Sequence, residues 1–173
     1  METFLTKLKD ITTFIFDVDG VLTDGSIYVT ETGVQSRAFN IKDSYALQLA
    51  VKSGYNVAAI SGSRSKSALF RLNSLGINDV YLGAHTKSER FKLYIEEKSV
   101  HPSEILYMAD DIPDLAVMQK VGLPVCPADA AEEIKAISAY VSPYPGGRGC
   151  VRDIIEKVMK VQGKWMNDQA YTW

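Results

Sequence analysis

The stretch Phe14-Ile-Phe-Asp-Val-Asp-Gly20 constrains the fold more than any other part of the chain. Its three apolar residues are the pattern of a short strand buried on both faces. Two carboxylates, Asp17 and Asp19, come next. Acids at the end of a buried strand need something to offset their repulsion, because otherwise one raises the other's pKa and neutralises it. A cation does this. Gly20 lets the chain turn away, so the expected arrangement puts one carboxylate and one backbone carbonyl on a hard metal. The second carboxylate is then free for proton transfer. Taken alone, the stretch also reads as an Asp-rich turn after a strand.

Beyond this stretch the chain alternates strands with helices. Ser26–Thr30 and Val34–Asn40 flank Glu31-Thr-Gly33 and predict a hairpin, with enough apolar residues (Ile27, Val29, Val34, Phe39) to require one covered face. A helix pattern starts at Ser44 and stops at Ser53-Gly54. Strands are expected at 57–60, 79–82, 105–108, 123–126 and 140–141, with helices at 65–75, 87–98, 130–137 and 151–162, and a further helix face after Asp114. This order predicts an α/β fold: a doubly wound, mostly parallel sheet with helices on both faces, a small hairpin insertion and no cap domain. At 173 residues the chain is expected to form one domain, 1–173. The segments between Asp24 and Ser61, and between Ser61 and Lys87, are too short to hold a lid domain. The tail 163–173 lacks periodicity yet carries Trp165, Tyr171 and Trp173, which predicts docking on another surface such as a second subunit.

Composition excludes several functions. With 46% hydrophobic and 23% charged residues the chain reads as an ordinary globular protein. A formal net charge of -2 argues against nucleic acid as the main partner. No apolar run approaches membrane-spanning length, and Met1–Asp10 lacks a signal peptide's apolar segment, so the expected location is the cytoplasm. The two cysteines fit no metal or redox spacing; Cys126 is expected in the core and Cys150 in a loop.

Ligands of open α/β sheets bind beyond the carboxyl ends of the strands. Those ends carry Asp17 and Asp19, then Ser61-Gly62, then Asp110-Asp111, while Lys87 opens the helix after the third strand. Together they suit attack of a carboxylate on phosphorus. Asp17 and Asp110 offer oxygen ligands for Mg²⁺. Lys87 offers a point charge, Ser61 and the Gly62 N–H offer neutral donors, and Asp19 can protonate the leaving oxygen and later deprotonate water. Singly, each has a plainer reading: Lys87 as a surface lysine, Ser61 as a turn residue, Asp111 as a helix cap, Asp114 as a complement to a helix dipole.

These residues resemble the haloacid dehalogenase superfamily of phosphohydrolases, in its motif order: Asp17 to Val21, Ser61, Lys87, and Asp110-Asp111 with Asp114. The resemblance implies Asp17 as nucleophile, Asp19 as general acid/base, and Asp17, Asp110 and the Asp19 carbonyl as Mg²⁺ ligands. A narrower resemblance, to the 3-deoxy-D-manno-octulosonate 8-phosphate phosphatases, rests on Asp17-Val-Asp-Gly-Val-Leu-Thr-Asp-Gly25, Phe39-Asn40 with Asp43, Ser61-Gly62, Arg71 before Leu75-Gly-Ile77, and Gly146-Gly-Arg-Gly149 with Val151-Arg152. It implies a capless homotetramer acting in lipopolysaccharide precursor synthesis. By the same resemblance Arg71 binds the substrate's carboxylate side and the Gly-rich loop helps close the site. Ala109, Ser44 and Ala46 stand where that family usually has Gly; none removes a catalytic group, and Ser44 and Ala46 leave the exact sugar open. Other readings are a phosphatase for another acidic sugar phosphate such as a nonulosonate 9-phosphate, an idle relative kept for oligomer contacts, and a phospho-Asp receiver module. The receiver module places its acceptor Asp on a middle strand, where this chain has Ser61.

Overall fold

Along Thr13–Phe16 (β1) every side chain is buried, and alternate residues enter two different cores. Phe14 and Phe16 join one core and Ile15 the other, as the period-2 geometry of a strand requires. The computed structural model describes residues 4–173. After the helix Phe4–Asp10 (α1) and β1 come the hairpin strands Tyr28–Val29 (β2) and Gln35–Ser36 (β3). The chain continues through Ile41–Lys52 (α2), Asn56–Ile60 (β4), Lys66–Asn73 (α3), Asp79–Tyr81 (β5) and Lys87–Lys98 (α4). Ile105–Met108 (β6), Leu115–Met118 (α5), Leu123–Cys126 (β7), Glu132–Ile137 (α6), Tyr140–Val141 (β8) and Cys150–Val161 (α7) complete it.

Six strands form one sheet in the order β5-β4-β1-β6-β7-β8, and every neighbouring pair is parallel. Side chains of α2, α3 and α7 fill the core on one face; Phe91 and Tyr94 of α4, with Val117, Met118 and Ile134, fill the other. The expected α/β class, with helices on both faces, is therefore what the chain adopts. Among the described residues no cap domain is inserted. Strand order reverses about β1, whose neighbours are β4 and β6, so the crevice for a ligand opens at the carboxyl end of β1.

Four local features depart from the sequence reading. The helix expected from Ser44 starts at Ile41, because the Asn40 side chain accepts hydrogen bonds from the N–H groups of Lys42 (2.8 Å) and Asp43 (3.2 Å) and caps it. Cys150 is the buried first residue of α7 rather than a loop residue. The hairpin is left mostly uncovered by its own chain: Phe39 packs against the core, but Ile27, Tyr28, Val29 and Val34 are all exposed. The tail instead folds back on the same chain. Trp165 is buried and meets Tyr45 edge-on, the Tyr45 hydroxyl donates to the Ala170 carbonyl, and Trp173 lies 5.8 Å from the Tyr45 ring.

Candidate active site

The strand ends converge on a cavity of about 360 Å³ walled by Asp17, Asp19, Gly20, Ser61, Gly62, Lys87, Asp110 and Asp114 among others. Asp17 sits just past β1, its N–H donating to the Met108 carbonyl at the end of β6. Its side chain accepts from the Val18 N–H at 2.7 Å, which fixes the carboxylate at the mouth of the crevice. Asp19 follows in extended conformation, and Gly20, at φ 85°, turns the chain back. Only glycine fits there: a Cβ on Gly20 would overlap the Asp110 carboxylate.

Lys87, the first residue of α4, is buried and lies between two carboxylates. Its ammonium stands 2.9 Å from Asp17 and 2.7 Å from Asp114. Asp114 also accepts from the Tyr107 hydroxyl at 2.6 Å, so a tyrosine inside β6 holds the acid that holds the lysine. A surface lysine and a dipole-complementing Asp114 are thus both replaced by a buried ion pair. Asp111 does cap the turn it precedes, accepting from the Ile112 N–H at 2.8 Å. Ser61 is buried and accepts from the Ser63 N–H at 3.1 Å, while Gly62 has open space where a Cβ would stand.

Charge in this cluster is not balanced. Burial raises the Asp17 carboxyl to about 7, and the Asp114 charge adds to the rise while Lys87 opposes it. Burial lifts Asp110 to about 6, reinforced by Asp114 and Asp111. Burial works to lower the Lys87 pKa, but Asp17 and Asp114 outweigh it, so the ammonium stays charged. Three carboxylates share one ammonium, and Asp110 Oδ1 is buried without a hydrogen-bond partner. An additional cation beside Asp17 and Asp110 is what such a donor set accommodates. Among the described residues no three His, Cys, Asp or Glu side chains form a metal cage of their own. That agrees with an ion that takes one or two carboxylates and fills its shell with water and phosphate, as Mg²⁺ does.

The Gly-rich loop packs against this turn. A Cβ on Gly146 would meet the Gly20 carbonyl, and one on Gly147 would meet Thr23 and Asp24. Asp43 secures the loop by accepting from the N–H groups of Gly149 (3.1 Å) and Arg152 (2.7 Å), and Asn40 donates to the Gly147 carbonyl at 3.2 Å. A larger groove of about 530 Å³ runs beside α7, but Arg152, Lys157 and Lys160 within it are already paired with Glu156 and Asp153.

No family model matches the chain. It is 39% identical over 160 residues to the 3-deoxy-D-manno-octulosonate 8-phosphate phosphatase KdsC of Salmonella typhi, a match that spans 92% of this chain and 85% of the relative. The chain belongs to the 3-deoxy-D-manno-octulosonate 8-phosphate phosphatase family. Its fold agrees: the structure of a Legionella pneumophila protein described as a putative HAD superfamily (subfamily III A) hydrolase superposes with a TM-score of 0.92 at 30% identity, covering 96% of this chain and 91% of that one. The Moraxella catarrhalis 3-deoxy-D-manno-octulosonate 8-phosphate phosphatase, solved with magnesium ion, phosphate ion and KDO, matches with a TM-score of 0.89 at 31% identity, over 92% of this chain and 91% of that one.

Within this family member, Asp17, Asp19, Ser61, Gly62, Lys87 and Asp110 share one cavity. Arg71 does not join them: it lies in the last turn of α3 and is absent from the cavity wall. Arg37, just after β3, stands behind the wall instead and bonds to two wall residues, Asp19 and Ser63. Nothing in the hairpin's sequence marked it, because its partners lie 18 and 26 residues away. Tyr107 was findable: a hydroxyl in an otherwise apolar buried strand needs a partner.

Proposed function

We propose that the protein is a Mg²⁺-dependent phosphomonoesterase that removes phosphate from 3-deoxy-D-manno-octulosonate 8-phosphate through an aspartyl-phosphate on Asp17. The observation that carries this is the buried Asp17–Lys87–Asp114 row beside Asp110, in a chain 39% identical to a phosphatase of that name. Mg²⁺, held by the Asp17 and Asp110 carboxylates and the Asp19 carbonyl, supplies the neutralising charge that lets an anion attack an anion.

The Asp17 carboxylate attacks phosphorus, a P–O bond to Asp17 forms, and the ester P–O bond breaks. Asp19 gives its proton to the departing sugar oxygen. Asp19 then takes a proton from water, whose oxygen attacks phosphorus and releases phosphate and free Asp17. Lys87, kept charged by Asp114, and the Ser61 and Gly62 donors hold the phosphoryl oxygens. Arg71 stays a candidate for the carboxylate side only in trans, from a neighbouring subunit. The chain works as one domain and as a homo-oligomer, most simply a tetramer, with the exposed hairpin as contact surface. Among the described residues no helix is long and apolar enough to cross a membrane, and we place the enzyme in the cytoplasm.

A panel of sugar phosphates with Mg²⁺, read by phosphate release, tests this reading. Preference for 3-deoxy-D-manno-octulosonate 8-phosphate supports it; preference for a nonulosonate 9-phosphate would reassign the substrate.

A further inference from the structure

Arg37 is the hairpin's polar link to the catalytic cavity, and its environment is unusual for a hairpin arginine. Its side chain is 2% exposed. Nε donates to Asp19 Oδ1 at 2.5 Å and Nη2 to Asp19 Oδ2 at 3.2 Å, a fork on both oxygens of one carboxylate. Nη2 also donates to Ser63 Oγ at 3.0 Å, which ties the fork to the loop after β4. Nη1 is buried with no acceptor. Burying a guanidinium this far, with one donor left unmatched, costs free energy that an arginine at a hairpin base need not incur.

The geometry has a direct consequence for Asp19. A carboxylate just before a glycine-dependent turn has free rotation about its side-chain bonds unless something fixes it. A bidentate guanidinium fixes both the plane and the direction of the group, which a lysine ammonium cannot do. Asp19 lines the cavity and stays 29% exposed, so a substrate in the cavity can reach its carboxylate. Oδ2, on the longer of the two bonds, is the atom able to carry the transferred proton, because Nη2 keeps Ser63 as acceptor when that bond opens.

We propose that Arg37 is a positioning residue for proton transfer: its fork, anchored on Ser63, aims the Asp19 carboxylate at the leaving-group oxygen. The proposal rests on the assignment of Asp19 as acid/base. It assigns to the hairpin a role inside its own protomer's site.

The test compares wild type, Arg37→Ala and Arg37→Lys on two substrates with Mg²⁺: 3-deoxy-D-manno-octulosonate 8-phosphate, whose alkoxide leaving group needs a proton, and 4-nitrophenyl phosphate, whose leaving group does not. Misplacement of a reacting group by about 1 Å can cost about 10²-fold. The expected result is a loss of that order in kcat on the sugar phosphate for Arg37→Ala, with KM little changed and a far smaller loss on the aryl phosphate. Arg37→Lys should stay impaired, and added guanidinium ion should restore part of the Arg37→Ala rate. The aryl activity also reports that the variants fold. Equal losses on both substrates, a rise in KM alone, full recovery with Arg37→Lys, or no change would each overturn the proposal. If wild type ignores this sugar phosphate but cleaves another alkyl phosphate, the substrate reading fails, and the same contrast on that ester still tests Arg37.

Discussion

Gly20 and Asp110 share one small volume, since a Cβ on Gly20 would fall on the Asp110 carboxylate. The glycine is therefore part of how Asp110 is seated in the cavity, as well as the turn that ends the motif. Gly20→Ala should be damaging in two ways. A left-handed φ costs a non-glycine residue about 1–2 kcal/mol, and the displaced Asp110 should raise the Mg²⁺ concentration for half-maximal activity by about 10–100-fold. Metal titrations of phosphate release measure the second effect separately from thermal stability. An unchanged Mg²⁺ requirement would show that Asp110 is not held by this contact.

The row Tyr107–Asp114–Lys87–Asp17 predicts an effect at a distance from the cavity. Tyr107→Phe removes a 2.6 Å hydrogen bond to a buried carboxylate. Bonds to charged groups contribute about 1.5–3 kcal/mol. The substitution should lower stability by an amount in that range and lower kcat through a loosened Lys87, with KM for the sugar phosphate little affected. A stability loss with kcat intact would confine Tyr107 to packing.

The raised carboxyls carry a pH dependence whose sign is fixed. Asp17 titrates near 7 and Asp110 near 6 in the folded protein, against a reference value of 3.8 for each. Between about pH 4 and pH 7 the metal-free folded state thus holds protons that the unfolded chain has released. Stability from these groups is present below the unfolded value and lost as pH rises through the folded ones. Mg²⁺ binds the ionised form, and a ligand at a hundred times its Kd stabilises by about 2.7 kcal/mol. Melting curves should show a small Mg²⁺ effect at pH 5 and a larger one at pH 7.5. A Mg²⁺ shift that shrinks as pH rises would contradict the metal assignment.

Exposure of Ile27, Tyr28, Val29 and Val34 predicts self-association through the hairpin. Light scattering should give an oligomeric mass, with a tetramer expected, and Val29→Glu should dissociate it. A fully active monomer at assay concentration would remove the hairpin from the interface.

The sheet was legible because its strands are short apolar runs that end abruptly in polar residues, and Phe14–Phe16, Ile105–Met108 and Leu123–Cys126 appear where those runs stand. The positions of Asp17, Ser61 and Asp110 followed from the same rule, since strand ends on one edge of a parallel sheet meet, and Lys87 joined them as the first residue of the helix after β5. Local pattern could not convey partner choice across long separations. Arg37 finds Asp19, Asp43 finds Gly149 and Arg152 more than a hundred residues on, and Tyr45 finds Ala170. The tail's aromatics signalled docking but carried no information about which surface; Tyr45 of α2 in the same chain receives Trp165 and Trp173, and Tyr171 is exposed. The hairpin's apolar residues signalled burial in the same way; Phe39 packs against the core, while the chain leaves Ile27, Val29 and Val34 bare.

Covalent catalysis by Asp17 can be tested by trapping the acyl phosphate. Enzyme mixed with 3-deoxy-D-manno-octulosonate 8-phosphate and Mg²⁺ is quenched in turnover, reduced with borohydride and mapped by mass spectrometry. The expected product is homoserine at position 17, dependent on both substrate and Mg²⁺, with no turnover in Asp17→Asn. Reduction at a different carboxylate, or sustained phosphate release by Asp17→Asn, would contradict a nucleophilic Asp17.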